Sequence, residues 1–404
     1  MRALPDPAHR RRLSPVERVW LTARRIAPPF ANQAVFEAPG GDLDAVDWGA
    51  ALAEVARTTP GTSVVARGAL GWTSWVDGVP PRLRRVDGSA WSGRDGGGAP
   101  FLAAPLDPRA GPTVELLLVD GPTPRLVLRS LHAALDGRGT LFLAERLFAA
   151  ARGEALDLLP SSSLNDEQLA RELGAVPEPP VAVDCPAPLG EVRPAVLATR
   201  WVRRDVVVAS GRSLLPRVAV SLARTVPSGV RSAVRVDVPV DLRRHRPELR
   251  TPANLTGLVR VPVGALLEAT EPVAAVGEHL RQALDGGGEL GFCASLGSVR
   301  WLPLNLMEWG GRRAANQALA TQRFSTSATI SNLGRLDLGA LSAPGFDCRA
   351  AFFIPPGSPS LPLFVTLCGG GEALTVAAAA PLGLADNGRL EALVDGLCEE
   401  LRGQ

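Results

Sequence analysis

A proline-rich stretch of irregular composition divides this chain of 404 residues into two halves. Six prolines lie between positions 177 and 194, and three consecutive serines precede them at 161–163. Because proline fixes φ and removes a backbone donor, neither helical nor strand periodicity continues through such a stretch. The sequence therefore predicts two subdomains, 1–160 and 195–404, joined by a linker over 161–194.

Both halves alternate strand-like with helix-like segments. Segments 113–119 and 124–130 have the pattern of an antiparallel pair, and helical periodicity follows over 139–152. Ser14, Pro15 and Glu17 form the N-terminal signature of an earlier helix. The second half has predicted strands at 196–203, 231–240, 258–263, 327–332, 348–354, 361–368 and 373–379, and predicted helices at 211–224, 271–284, 312–320 and 387–401. We therefore expect an α+β fold of two similar subdomains.

Charge and hydropathy exclude several classes of partner. The 43 basic and 41 acidic residues give a net charge of +2, so no global field attracts nucleic acid or anionic lipid. No apolar segment reaches the roughly 20 residues that span a bilayer, and the N-terminus lacks the apolar core of a signal peptide. We expect a cytoplasmic monomer that binds neither nucleic acid nor membrane.

The composition also limits the chemistry. Every basic residue is arginine, which is typical of a GC-rich bacterial gene, and without lysine neither a Schiff base nor a Walker-type phosphate loop can form. The five cysteines are widely spaced and include no C-x-x-C pair, so they predict reduced thiols instead of disulfides. Only four dispersed histidines are present, and we expect no metal site.

One of these histidines, His132, begins the pattern H-x-x-x-D-G, which Asp136 and Gly137 complete. A neutral imidazole with a pKa near about 6.5 can take a proton from an alcohol or amine that attacks an electrophile. Asp136 could fix the turn by pairing with an arginine, and Gly137 would let the backbone approach closely and present its N–H. The alternative is a buried histidine at a strand end followed by a plain Asp-Gly turn.

Five segments, in order along the chain, resemble condensation domains of nonribosomal peptide synthesis and their stand-alone relatives, including polyketide-associated acyltransferases and chloramphenicol acetyltransferase. They are L-S-P-V-E-R at 13–18, the His132 pattern, P-V-D-L-R-R at 239–244, N-L-T-G at 254–257 and I-S-N-L-G at 330–334. The last resembles the S-N-x-G segment that these families place on a strand crossing between subdomains. The resemblance extends along nearly the whole chain.

This resemblance implies two chloramphenicol-acetyltransferase-like α/β sandwich subdomains in a V with a central tunnel. It implies an acyltransferase with no bound cofactor, whose co-substrate is a thioester of coenzyme A or of the phosphopantetheine of a carrier protein. The acceptor would be a hydroxyl or amine of a small specialised metabolite. An acyl or peptidyl carrier protein is a possible partner.

The resemblance also assigns roles to individual residues. His132 would be the general base, Asp136 a structural residue that points away from substrate, and Gly137 a backbone donor near the oxyanion. Further polar contacts with substrate would come from the second half, at Asn254, Ser331 and Asn332. The alternative for these three residues is capping of turns and strand ends.

Two departures from the family pattern leave other functions open. Family members often have two adjacent histidines, whereas Leu131 occupies the first position here. The D-F-G-W-G element of the plant branch is missing, which favours the bacterial branches. An inactive module that recruits a carrier protein or partner enzyme is one alternative function. Another is an enzyme adapted to cyclisation, dehydration or epimerisation.

Two further sequence patterns give weaker evidence for a binding site. The glycines at 286, 288 and 291 spell G-x-G-x-x-G, but they follow a predicted helix, whereas a dinucleotide fingerprint follows a strand. The basic loop 243–250 could attract the phosphates of coenzyme A, although a solvated loop is the simpler interpretation.

Overall fold

The computed structural model describes residues 9–190, 197–208 and 213–402, which form two lobes built around separate β-sheets. Its strands are β1 (Arg10–Arg12), β2 (Ala31–Glu37), β3 (Val64–Arg67), β4 (Ser74–Asp77), β5 (Arg82–Asp87), β6 (Val114–Asp120), β7 (Arg125–Leu131), β8 (Thr199–Val207), β9 (Val236–Asp241), β10 (Thr256–Val261), β11 (Ala328–Leu336), β12 (Ala350–Ile354), β13 (Phe364–Gly370) and β14 (Ala373–Pro381). Its α-helices are α1 (Pro15–Ile26), α2 (Trp48–Thr58), α3 (Gly137–Ala151), α4 (Asp166–Glu172), α5 (Leu214–Thr225), α6 (Ser228–Arg231), α7 (Val263–Leu266), α8 (Pro272–Asp285), α9 (Gly291–Ser295), α10 (Leu304–Thr321), α11 (Leu382–Ala385) and α12 (Arg389–Arg402).

The first lobe contains a five-stranded sheet in the order β12-β2-β7-β6-β5, with a small sheet, β1-β4-β3, beside it. β6 and β7 are fully antiparallel, as their alternating sequences predict. Helices α2 and α3 pack together over this lobe's core. There Phe148 meets Phe36 and Trp48 edge to face, at centroid distances of 5.3 and 5.5 Å.

The second lobe contains a six-stranded sheet in the order β10-β9-β11-β13-β14-β8. Helices α5, α8 and α12 cover it, and their buried Val, Leu and Ala side chains form one apolar cluster with those of the strands. The two sheets, each packed with helices, confirm the predicted α+β class.

Two strands connect the lobes. Along β11, Ile330 packs in the core of the second lobe, whereas Leu333 and Leu336 pack in that of the first. The register shifts between Asn332 and Arg335, where Gly334 has φ +78°, a conformation that glycine adopts without steric cost. β12 then pairs with β2, so one strand from the second half completes the first sheet. The crossing strand expected at 330–334 is therefore present.

The first helix confirms its sequence signature in detail. Ser14 Oγ accepts from the Glu17 amide at 3.2 Å, and the Glu17 carboxylate accepts from the Ser14 amide at 2.8 Å. This capping box satisfies donors that the first helical turn otherwise leaves unpaired.

Other segments differ from the expectation or lie partly outside the described residues. The predicted linker contains the helix α4, which begins at a capping box on Asn165. The edge strand β5 pairs in parallel with β6. This strand was not predicted from the sequence, because the charged residues of R-L-R-R-V-D obscure the strand pattern. Residues 191–194 of the linker, 196 of the strand predicted at 196–203, and 211–212 of the helix predicted at 211–224 lie outside the described ranges. The division at 160 and 195 remains a prediction. Among the described residues, no helix is both long and apolar enough to cross a membrane.

Candidate active site

His132 lies in a tight turn between β7 and α3, at the junction of the two lobes. The Ala134 amide donates to the Leu131 carbonyl at 2.8 Å, and the Leu135 amide donates to the same oxygen at 3.1 Å. Asp136 then caps α3, because its Oδ1 accepts from the Gly139 amide at 2.6 Å. The sequence order of strand, histidine, Asp-Gly and helix thus produces the turn that presents His132.

Two asparagines from different lobes donate hydrogen bonds to backbone carbonyls of this turn. Asn32 of β2 donates its Nδ2 to the Leu135 carbonyl at 2.7 Å. Asn254, which precedes β10, donates its Nδ2 to the His132 carbonyl at 2.7 Å. Its backbone amide also donates to the Ala134 carbonyl at 3.0 Å. The structure therefore places Asn254 next to His132, where its amide group contacts the backbone of that residue.

Two aromatic rings flank the imidazole of His132, which is a half-buried residue. Phe30 stacks on His132 with ring centroids 5.4 Å apart and an interplanar angle of 15°, and Trp20 of α1 lies 5.3 Å away at 31°. Nδ1 of His132 and Nε1 of Trp20 are both buried and have no hydrogen-bond partner among the residues that the structure describes. The aromatic surroundings leave Nδ1 of the imidazole without a side-chain partner in the described part of the chain.

Burial lowers the pKa of His132 below its ordinary value of 6.5, because an apolar environment penalises the charged imidazolium. The backbone carbonyl of the same residue and the Asp136 carboxylate act in the opposite direction but do not overcome desolvation. The neutral imidazole, which is the form that can accept a proton, is therefore favoured at neutral pH.

Asp136, in contrast, is directed towards the second lobe and is fully engaged. Its Oδ2 accepts from the Leu255 amide at 2.7 Å and pairs with Arg243 at 3.1 Å. Arg243 also pairs with Asp241 at 2.7 Å and donates to the Thr251 carbonyl at 3.0 Å. Asp136 therefore joins the two lobes below the His132 turn.

The first position of the double-histidine pattern, Leu131, ends β7. Its side chain is fully buried in the core of the first lobe, and its amide donates to the Thr113 carbonyl at 2.8 Å. Leucine thus fills an apolar position in the core of the first lobe.

The start of α3 lies against the irregular part of β11. A Cβ built on Gly137 would be 3.5 Å from Leu333 Cδ2, and Arg138 donates to the Leu333 carbonyl at 3.2 Å. Ser331 and Asn332 lie just before this contact, paired with β13. Ser331 is half-buried, whereas Asn332 is exposed and accepts the Gly334 amide at 3.0 Å. Of the three second-half candidates, only Asn254 is hydrogen-bonded to the His132 turn.

A cavity of about 710 Å³ opens between the lobes, and Phe30 is one of the residues that line it. The start of β2 and the loop at 95–103 line it from the first lobe, and the ends of β8 and β14 line it from the second. Its apolar lining includes Ile26, Leu102, Leu197, Trp201 and Ile354.

The basic loop 243–250 does not provide a free phosphate site, because its arginines are paired with carboxylates. Arg244 and His245 both contact Glu289, at 2.8 and 2.9 Å. Arg246 lies 3.5 Å from Glu172, and Arg250 lies 3.2 Å from Asp157. The nearby G-x-G-x-x-G glycines follow α8 and form a short 3₁₀ turn leading into α9, so the dinucleotide arrangement of strand, glycines and helix is not formed.

Sequence reasoning missed both rings that enclose His132 and the asparagine on β2. Trp20, Phe30 and Asn32 are about 100 or more positions from His132, and no local pattern connects them to it. One signal was available in the sequence, since two consecutive polar residues, Asn32 and Gln33, are unusual in the otherwise apolar segment A-N-Q-A-V-F.

No protein-family model matches the sequence, and no curated protein does. Among solved structures, the chain is similar to a mutant of the starter condensation domain of rhizomide synthetase RzmA in complex with C8-CoA and Leu-SNAC. The TM-score is 0.61 at 14% identity, with 97% of this chain and 94% of that chain covered.

Two further structures align over nearly the same extent. One is TRI101 of F. graminearum complexed with ethyl coenzyme A, with a TM-score of 0.59 and 15% identity over 95% of this chain and 97% of that one. The other is the epimerization domain from the third module of tyrocidine synthetase B, with a TM-score of 0.59 and 14% identity over 98% and 96%. The chain therefore has the fold of condensation domains and chloramphenicol-acetyltransferase-like acyltransferases.

Proposed function

We propose that this protein is an acyltransferase that moves an acyl group from a thioester to a hydroxyl or amine of a specialised metabolite. The observation that carries the proposal is the His132 imidazole. Its pKa is lowered, its buried Nδ1 has no hydrogen-bond partner among the described residues, and Phe30, whose ring stacks on it, is one of the residues that line the cavity between the lobes.

In the proposed reaction, His132 accepts the proton of the acceptor hydroxyl or amine as its oxygen or nitrogen attacks the thioester carbonyl. A new C–O or C–N bond forms, and the resulting oxyanion is stabilised by backbone N–H groups. One of these donors would be the N–H of Gly137, the first residue of α3. The N–H groups of a first helical turn have no carbonyl one turn earlier to which they could donate. The C–S bond then breaks, and His132 returns its proton to the leaving thiolate.

The other assigned residues have supporting roles in this proposal. Asp136 fixes the turn through Arg243 and the Leu255 amide. Asn254 holds the backbone of His132, and its buried Oδ1, unpaired within the described part of the chain, can accept from a substrate N–H or O–H. We also propose Ser331 and Asn332, which lie on β11 near the first residues of α3, as substrate contacts.

The identity of the thioester is also a proposal. RzmA and TRI101 are in complex with C8-CoA and ethyl coenzyme A, respectively. We infer that this chain likewise takes an acyl group as a thioester of coenzyme A or of a carrier protein's phosphopantetheine, as a co-substrate that leaves after the reaction.

The test is mass spectrometry of products after incubation with a panel of acyl thioesters and a pool of alcohols and amines. We expect a new ester or amide with the wild-type protein, and about 10²- to 10⁴-fold slower formation with His132→Ala. His279→Ala is the matched control, because it removes a histidine from α8 in the second lobe. Equal rates for His132→Ala and wild type would refute the proposal.

The shared fold with an epimerization domain supports a second candidate, in which His132 removes a proton from the α-carbon of a carrier-bound chain. This reaction leaves the product mass unchanged, so chiral analysis of the recovered chain distinguishes it from acyl transfer. Stable capture of a loaded carrier protein, without either product, would instead favour a recruiting module.

A further inference from the structure

The cavity between the lobes has more apolar than polar surface, and its two charged side chains and Gln33 are already engaged. Arg200 forms an ion pair with Glu391. Gln33 Oε1 accepts from Arg129 at 3.1 Å, and Asp95 Oδ1 accepts from the Gly97 amide at 2.7 Å. No uncommitted cation among the described lining residues is available for a phosphate or carboxylate, so this volume suits an uncharged group.

Phe30 belongs both to the cavity lining and to the surroundings of His132. Its ring stacks on the imidazole, and the residue is only 4% exposed. Phe30 therefore connects the cavity with the imidazole of His132.

The backbone supports a specific placement of this ring. Phe30 has φ +40°, in the left-handed region that aromatic residues rarely adopt. Such strain persists only where the surrounding structure imposes it, and it is concentrated at functional sites. The position directly follows Pro28 and Pro29, which also line the cavity.

We propose that this cavity binds the uncharged, mainly apolar chain of one of the two substrates, and that Phe30 is a specificity-determining residue beside the reacting carbon. The ring narrows the passage between the chain and His132, so it admits an unbranched carbon next to the reacting centre and excludes a branched one. This inference rests on the proposed function for the identity of the reacting centre, but the binding site itself can be tested without turnover.

The experiment measures the dissociation constants of two sets of probes by calorimetry, each without the second substrate. The acyl set contains straight-chain N-acetylcysteamine thioesters of six to twelve carbons and their 2-methyl analogues. The acceptor set contains straight-chain primary alcohols of the same lengths and their 2-methyl analogues. The set that binds identifies which substrate supplies the chain.

For the set that binds, we expect each added methylene to tighten binding about threefold in the wild-type protein until the cavity is filled. Ala103→Trp, which places a large ring on the lining from an exposed position, should remove this gain. Binding that is independent of chain length, or no binding of either set by the folded protein, would overturn the proposed cavity ligand.

For Phe30, we expect the wild type to prefer the straight chain over its 2-methyl analogue by about tenfold, and Phe30→Ala to lose most of this preference. Phe142→Ala removes a phenyl ring from α3 at a position that does not line the cavity. This variant should keep the wild-type preference for the straight chain. Phe30→Leu provides the same comparison if the alanine variant does not fold. An unchanged preference in the folded Phe30 variants would overturn the role of this ring. Chain-dependent binding without any acyl transfer would contradict the proposed function but not the cavity ligand.

Discussion

Asp136 and His132 lie in the same turn, yet their surroundings are opposite. Asp136 accepts from two backbone amides and pairs with Arg243, so its carboxylate is surrounded by donors. His132 is enclosed by the rings of Trp20 and Phe30, and its Nδ1 has no partner among the described residues. Four positions along the chain thus separate a fully engaged polar side chain from an uncommitted one.

This contrast separates positioning from chemistry. A carboxylate whose lone pairs are occupied by structural donors cannot also exchange protons with substrate, whereas a neutral imidazole can. The N-cap and ion pair of Asp136 connect α3 to the second lobe, and this connection fixes the position at which His132 is presented. The predictions below test each side of this division.

The largest effect should come from removing the carboxylate of Asp136. Asp136→Ala leaves the half-buried Arg243 without one of its partners and removes the cap of α3. We expect the free energy of unfolding to fall by about 3–5 kcal/mol, measured by denaturant titration. Asp44→Ala is the control, since its ion pair with Arg85 is exposed and should contribute far less.

An Asp136→Ala protein as stable as the wild type would show that Asp136 does not join the lobes. His132→Ala, on the other hand, removes no hydrogen bond to another side chain of the described structure. The free energy of unfolding of His132→Ala should therefore differ from the wild-type value much less than that of Asp136→Ala.

The coupling between Asp136 and Arg243 gives a sharper test of the same contact. In a double-mutant cycle of Asp136→Ala and Arg243→Ala, we expect a coupling energy between about 0.5 and 3 kcal/mol. The two single variants and the double variant are compared by their free energies of unfolding. Strict additivity would mean that the 3.1 Å ion pair does not stabilise the turn.

A smaller effect is expected for Asn254, whose side chain donates to the His132 carbonyl at 2.7 Å. Asn254→Ala should lower the free energy of unfolding by about 1 kcal/mol, the usual net value of one hydrogen bond. Asn316→Ala, at an exposed position of α10, is the matched control. If both variants were equally stable, the contact with the turn would have no energetic weight.

Local patterns predicted much of this architecture, but not the surroundings of His132. The capping box at Ser14, the pair β6 and β7, and the turn that presents His132 each depend on residues that are neighbours in sequence. The segment 330–334 also lies on the strand that crosses between the lobes.

The missed features all depend on contacts between distant segments. Arg243 was considered for phosphate binding, but its partners Asp136 and Asp241 become apparent only in the folded chain. The stacking of Phe30 on His132 joins residues more than a hundred positions apart. Helix α4 was missed because the prolines and serines around it dominate the composition of its segment.

The central claim is that His132 is a neutral, uncommitted base at neutral pH. It is tested most directly by an NMR titration of the imidazole resonances, with the His132 signal assigned by its loss in His132→Ala. Because burial penalises the imidazolium, we expect His132 to titrate with a pKa below 6.5. A pKa at or above 6.5 would contradict the account, because it would show that burial does not favour the neutral imidazole over the imidazolium.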